Sequence, residues 1–518
     1  MSRKVHYKIG FIGLTAIGIG TMIGSGWLFS SYYAAKIAGP AAYLAWLLTA
    51  FIILTLGLCL AEISFNYPKR GLMARLLVIS HNKEFAFICT IATWLGLTAV
   101  IATEAEGSIQ YLSSLSASIR PYLFNSTLQQ LTLLGLGLSI IIILGFGVIN
   151  FWGIKLLSRS NVALTTAKII IPLITAASII GASFHFDNFH PQKSGFLPFG
   201  TSSVFSAMIG AGMVYSFNGF QNIVSFSCEA KKPKRDIPLA MILSVIITLL
   251  VYAVLETAFI GSLSENTLKH GWQGLNFTSP FVQITMMLNL NLITVVLYAD
   301  AVISPSGTGL IYTGSTTRML TGMSEDKQMP SFFNKLSRYN FSRRSLVTTI
   351  ILAILFLMLF KSWASLVSFL SLFYVISYMS IPICLGKLRY HQIKGGFSIP
   401  FIPLILPFLF AFLSVLFVFS DYPNTGYVST FILLAFLAYL IAQMRAGNRL
   451  TTVVAKSCPM LLHIVVISVL SAIGPSEYGG FGLLGKVLFF SLIILVSFIS
   501  YYGMTYLYKS LPETSANA

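Results

Sequence analysis

The chain has 518 residues, is 56% hydrophobic and only 9% charged, and carries a formal net charge of +18. A soluble domain holds about 25% charged residues, so a water-soluble globular fold is excluded. Lipid is then the solvent, and each backbone polar group inside it must be satisfied by helix or closed barrel. Long continuous apolar runs argue for helices, since barrel strands alternate in character over about 10 residues.

A membrane helix needs about 20 apolar residues. Fourteen segments qualify, near 10–36, 41–65, 85–114, 128–151, 160–183, 203–229, 236–262, 285–316, 345–360, 363–386, 399–420, 426–444, 453–473 and 483–508. The basic start leads into a stretch too long for the apolar core of a signal peptide, with no small-residue cleavage site after it. It is read as the first transmembrane helix.

That first segment contains Gly18, Gly20, Gly24 and Gly26. A glycine in a helix interior costs about 1 kcal/mol relative to alanine, so the helix is expected to open at Ile23-Gly24-Ser25-Gly26. Close packing against a neighbouring helix is the competing explanation for small residues. The sixth segment favours the break. It places Ser216, Phe217, Asn218, Gly219 and Phe220 in mid-span, followed by Gln221 and Asn222, and these amides are costly against lipid. Paired interruptions at matching positions of two halves point to an inverted-repeat transporter. Free N–H groups at a new helix start favour a carboxylate, and unwound carbonyls favour an ammonium. Together they suit an amino acid.

Charges inside the apolar segments are candidate functional groups. Lys168 lies in the fifth segment, nine residues past Arg159; at 1.5 Å per residue this is about 13 Å, close to mid-membrane. Burial disfavours charge, so such an amine can gain and lose a proton; a fixed structural cation is the alternative. Ser304 and Thr308 of the eighth segment are its candidate neighbours. Glu104 and Glu106 lie in the third segment, about 200° apart around a helix, so both cannot face one cavity. At least one is expected to line an aqueous vestibule and attract a cationic substrate, or else to pair structurally with Arg120. Asp300 raises the same question, with Pro305 expected to kink its helix. Glu256 has no evident partner. Glu62 and Glu229 at helix ends are read as caps or loop ion pairs, and His185 and His190 as solvated.

The position of the positive charge gives orientation. With the N-terminus inside, the inside loops collect Lys69, Arg70, Arg75, Lys155, Arg159, Lys231, Lys232, Lys234, Arg235, Arg318 to Arg344, Lys387, Arg389, Lys394, Arg445, Arg449 and Lys456. Outside loops hold scattered ones such as Arg120, Lys193, Lys269, Lys361 and Lys486. This is the positive-inside bias. Both termini are therefore expected in the cytoplasm, and the charge is assigned to topology and lipid headgroups rather than to nucleic acid. The five cysteines are scattered without CxxC spacing, so neither disulfide nor metal site is expected. No phosphate-cradling or hydrolase motif occurs, so an enzyme is not expected, nor a cofactor.

These residues resemble the amino acid–polyamine–organocation permease superfamily. "GTMIGSGWLF" with Ala38-Gly39-Pro40, "AEISFNYPKRG" at 61–71, "FNGFQNIVSFSCEAKKPKRDIP" at 217–238 and "TRMLTGMSEDKQMPSFFNKL" at 317–336 are similar to its motifs and occur in its order. The resemblance implies an all-α polytopic membrane protein with a LeuT-type fold: a 5+5 inverted repeat with helices 1 and 6 broken. The transport core would span 1–395, with repeats about 9–183 and 203–390. Four additional C-terminal helices at 396–518 would bring the total to about 14 spans, like the cationic amino acid transporter branch. Ile23, Gly24, Ser25 and Gly26 would offer backbone groups to the substrate, with Ser216, Phe217, Asn218, Gly219 and Phe220 facing them and Phe220 closing as a gate. Lys168 resembles the fifth-helix lysine of proton-coupled members. Gln221 stands where many members carry an acid, and Glu325-Asp326 where many have Arg-Asp, which puts an inner-gate ion pair in question. The implied function is secondary transport of amino acids across the cytoplasmic membrane, coupled to protons. The alternatives are an exchanger of cationic amino acids or polyamines and, on composition, a channel.

Overall fold

In a computed structural model of the chain, residues 8–67, 72–151, 157–190, 195–337, 341–391 and 397–508 are described. Of the basic residues above, Lys69, Arg70, Lys155, Lys193, Arg338 and Lys394 lie outside them. Helices dominate. In chain order they are α1 (Phe11–Met22), α2 (Gly26–Ala38), α3 (Ala42–Asn66), α4 (Leu72–Ser80), α5 (Lys83–Leu112), α6 (Arg120–Leu123), α7 (Leu133–Phe151), α8 (Leu157–Ala182), α9 (Ser202–Gly210), α10 (Met213–Ser216) and α11 (Asn222–Ser225). There follow α12 (Pro233–Ser262), α13 (Pro280–Met287), α14 (Asn291–Glu325), α15 (Arg343–Leu359), α16 (Trp363–Tyr390), α17 (Ile402–Val418), α18 (Asn424–Arg445), α19 (Leu450–Ile473) and α20 (Lys486–Tyr502). One two-residue antiparallel pair, Phe124–Asn125 with Gln130–Leu131, closes a loop.

Among the described residues, ten helical stretches are long and apolar enough to cross a membrane; Gly26–Asn66, which joins α2 and α3, counts as one of them at 41 residues. The chain is thus a polytopic all-α membrane protein. Within their most apolar stretches α5 and α16 are 94% buried and α20 only 28%. The first two are therefore interior pillars, and α20 is a rim helix for lipid. Capping fixes where the pillars start. Asn82 accepts the Phe85 N–H at 2.8 Å and Ser362 the Ser365 N–H at 3.3 Å, each satisfying a donor that a helix start leaves open. The α5 pillar packs on α14, α15 and α16, while α12 packs on α1, α3 and α8.

Three boundaries differ from the sequence expectation. The short amphipathic helix α4 precedes the third span. The eighth segment is two helices, α13 and α14, separated at Leu288–Leu290, where Asn289 takes φ 57°. And α14 runs on to Glu325, past the expected end at 316, because Thr317 and Thr321 face inward among buried neighbours.

Candidate functional site

The helix of the first segment stops at Met22 and resumes at Gly26. Ile23 there is extended, φ −89° and ψ 99°, so the amide groups opening α2 and the carbonyls ending α1 lack intrahelical partners. The sixth segment is interrupted twice, after Gly210 and again between Ser216 and Asn222. The two interruptions touch. Thr21 Oγ1 donates to Gly219 O at 3.1 Å, Ser25 Oγ lies 2.9 Å from Tyr215 OH, and Ser30 Oγ lies 3.0 Å from Ser216 Oγ. Gly219 requires its glycine: its φ is +118°, and an added Cβ would sit 2.8 Å from the Thr21 carbonyl carbon.

Glu104 supplies the carboxylate at the first break. Its Oε2 accepts the Ser25 N–H at 2.9 Å and its Oε1 the Tyr215 hydroxyl at 2.5 Å. A helix start with free N–H groups attracts an anion, and here a side chain of the same protein takes that place. Gly24 allows the approach, because a Cβ on it would collide with Glu104 Oε1 and come within 3.2 Å of Thr308 Cγ2.

Lys168 lies on the other side of the same break. Its Nζ donates to Gly20 O at 3.2 Å and to Thr308 Oγ1 at 2.6 Å. Gly20 O is one of the carbonyls left open where α1 ends, so the lysine ties the loose end of α1 to α14. The Lys168 charge is acted on by Glu104 and by Asp300. Of the two expected neighbours, Thr308 touches the amine; Ser304 does not bond it, and its hydroxyl has no partner.

The vestibule expectation for the two glutamates needs correction, since both side chains are 0% exposed. Glu104 turns to the break. Glu106, rotated away from it, lies towards Tyr33 and the Trp363 backbone. Among the described residues neither glutamate pairs with Arg120. The ring of Phe220 packs 5.4 Å from Tyr378 of α16. The aromatic against Ser25 is Trp363, whose Nε1 donates to Ser25 Oγ at 3.1 Å and whose ring stacks on Phe29 at 4.8 Å. Tyr215 lies edge-on to Trp363.

Asn218 is the hub beneath the second break. Its Nδ2 donates to Tyr312 OH at 2.7 Å and Tyr374 OH at 2.8 Å. Its Oδ1 accepts from Gln221 Nε2 at 2.8 Å and Tyr378 OH at 3.1 Å. Sequence reasoning missed Tyr215, Tyr312, Trp363, Tyr374 and Tyr378. The one signal was the spacing of Tyr374 and Tyr378, one turn apart on α16.

Glu256, Glu62 and Arg75 have structural partners. Glu256 accepts from Trp46 Nε1 at 3.0 Å. Glu62 pairs with Arg389 at 2.6 Å and accepts the Ile399 N–H at 2.8 Å, a loop ion pair. Arg75 reaches Asp326 at 2.9 Å and Glu325 at 3.6 Å, so the acidic pair at 325–326 does form an ion pair, joining α4 to the C-terminal end of α14.

Residues 9–442 match the model of a family described as amino acid permease. The chain belongs to the amino acid permease family. The permease is 34% identical over 509 residues to the glutamate/serine transporter AimA of Bacillus subtilis (strain 168), covering 96% of this chain and 93% of that one. It is 28% identical over 524 residues to the aspartate-proton symporter of the same organism, with 99% of both chains covered. A cationic amino acid transporter 4 of Homo sapiens is 29% identical over 266 residues, 50% of this chain and 41% of its own.

Proposed function

We propose that this permease is a secondary active carrier that moves amino acids across the cytoplasmic membrane together with protons, by alternating access. The observation that carries the reading is the place of Lys168. Its amine, 1% exposed, holds the freed Gly20 carbonyl of α1 and the Thr308 hydroxyl of α14. While the amine is charged, this contact clamps the end of α1. Loss of the proton weakens it, because hydrogen bonds from a charged donor are worth about 1.5–3 kcal/mol and neutral ones about 1 kcal/mol. Protonation and the shape of the break are therefore linked.

On this reading the chain crosses the membrane fourteen times, with both termini cytoplasmic. Two inverted five-helix repeats, about 9–183 and 203–390, form a core over 1–395, and 396–518 adds accessory helices. The substrate carboxylate meets the amides at Ile23, Gly24, Ser25 and Gly26, displacing Glu104 from the Ser25 N–H. Its ammonium meets the segment Ser216, Phe217, Asn218, Gly219 and Phe220. Relatives named for glutamate, serine and aspartate over nearly the whole chain favour small neutral and acidic substrates. A second reading, an exchanger of cationic amino acids, draws on the buried Glu104 carboxylate at the break and on the half-length likeness to a cationic transporter.

Uptake into proteoliposomes tests this, with radiolabelled L-serine, L-glutamate, L-aspartate, L-lysine and putrescine, an imposed pH gradient and no sodium. Uphill uptake of serine or an acidic amino acid driven by the proton gradient is expected. Uptake of lysine or putrescine alone, and only against preloaded counter-substrate, would select the exchanger. Flux that never saturates and shows no counterflow would select a channel.

A further inference from the structure

Beside the Lys168 site Ser304 Oγ makes no hydrogen bond, and the buried Asp300 carboxylate faces only the Trp27 indole, with no well-formed bond to Oδ2. Asp300, Ser304 and Thr308 recur every four residues along α14 and so share one face; they are 2%, 0% and 2% exposed. Thr308 ends the row at the Lys168 amine, 2.6 Å away, and donates back to Ser304 O at 3.2 Å. Pro305 sits inside this stretch. It has no N–H, so the Ala301 carbonyl one turn earlier loses its helical donor. Leaving a buried polar group unsatisfied costs about 1–3 kcal/mol, and here such groups are strung along one line. The line is about 12 Å long at 1.5 Å per residue. It starts beside Trp27 of α2 and ends at the Lys168 amine.

The surroundings leave Asp300 and Lys168 as the communicating pair. The Asp300 carboxylate is acted on by Lys168 of α8 and by the Trp27 indole of α2. Lys168 is acted on by Glu104 of α5 and Asp300 of α14, and α1 presents to it only the Gly20 carbonyl. Glu256 of α12 is held by Trp46, and α7 and α13 carry no titratable side chain. Glu106 of α5 turns towards Tyr33 and Trp363; of the two acids that act on Lys168, Glu104 is engaged by Ser25 and Tyr215, which leaves Asp300.

We propose that Asp300 is the entry port of a proton relay that runs down this face of α14, through Ser304 and bridging water, to Lys168. The relay rests on the proton-coupled reading above. A hydronium ion from the outer solution protonates the Asp300 carboxylate. The carboxylic acid passes its proton to a water held by Ser304 Oγ and the Ala301 carbonyl. The Ser304 hydroxyl accepts one proton and releases its own onward. The neutral Lys168 amine takes it and becomes ammonium. One proton enters and one is gained by Lys168; carboxylate, water and hydroxyl return to their starting forms.

The test compares two fluxes of radiolabelled L-serine in proteoliposomes. One is uphill uptake driven by a proton gradient. The other is counterflow at equal pH on both sides, which needs no net proton movement. Asp300→Asn is expected to slow driven uptake about a hundredfold, the lower end of what a placed proton-transfer group contributes, with counterflow within about twofold of wild type. Asp300→Glu restores driven uptake, and Ser304→Ala slows it in the same selective way. If Asp300→Asn does not fold, Ser304→Ala carries the test. Driven uptake unchanged in Asp300→Asn and Ser304→Ala, but lost in Lys168→Ala, overturns the relay and leaves the coupling reading standing. Equal loss of both fluxes in Asp300→Asn and in Asp300→Glu overturns it in favour of a structural role. Driven uptake retained in Lys168→Ala overturns the coupling reading itself.

Discussion

The Glu104 carboxylate accepts the backbone N–H of Ser25 at 2.9 Å, so one side chain of α5 fills the anion position that the broken first segment creates. A substrate carboxylate bound at this break, as proposed above, would compete with Glu104 for the same donors, so that one would have to move for the other to bind.

That geometry depends on Gly24. A side chain there would strike Glu104 Oε1 and press on Thr308. Gly24→Leu is expected to abolish amino acid binding while the protein still inserts and purifies as a folded species. Equilibrium binding of labelled substrate to purified protein checks this; retained affinity would remove the first break from the substrate site.

Lys168→Ala removes the bonds to Gly20 O and Thr308 Oγ1. Uptake by this variant should no longer respond to external pH, and a proton gradient should no longer drive accumulation. Initial rates measured from pH 5 to pH 8 decide it. A wild-type pH profile in the variant would mean that the proton is handled by another group.

Asn218 holds three tyrosine hydroxyls of α14 and α16 together with Gln221. In Asn218→Ala these groups lose their shared partner. At about 1–3 kcal/mol for each orphaned buried group, the melting temperature in detergent should fall by several degrees. The buried surface around the hub should also become accessible, which cysteine labelling at a site placed near Tyr374 would report. An unchanged melting curve would show that the hub is dispensable.

Asp421 lies in the loop between α17 and α18, outside the apolar segments, and desolvation pushes its carboxyl up to about 6. The folded state thus holds a proton that the unfolded chain, near 3.8, has already lost. Stability tied to this group is present below about pH 4 and is lost as pH rises through about 6. Asp421→Asn is expected to raise the melting temperature slightly at pH 8 and to leave it unchanged at pH 4. A gain of the same size at both pH values would refute the assignment.

Much of the architecture was legible because membrane helices announce themselves locally. Apolar runs of about 20 residues mark where helices can lie, and the glycines at 18–26 mark where one gives way. Lys168 stood out for the same reason, since charge at that depth is rarely incidental. The aromatics around Ser25 and the hub were not legible. Trp363, Tyr374 and Tyr378 come from α16, more than 300 positions along the chain from Ser25, and an aromatic in an apolar segment reads as ordinary packing. Phe220 was assigned to the gate on resemblance, and its ring packs against Tyr378 of α16. Glu104 and Glu106 were known to point apart, but which of them met the break depended on the rotation of α5.

The sequence by itself determined the solvent, the helical class, the family and the two weak points, because hydropathy and glycine content act over one or two turns of a single segment. Only the tertiary structure decided which groups meet at those weak points. Glu104 on Ser25, Lys168 on Gly20 and Asn218 among three tyrosines are contacts between distant helices. They are fixed by how helices rotate and cross, and a rotation of one residue, about 100°, would have presented a different set.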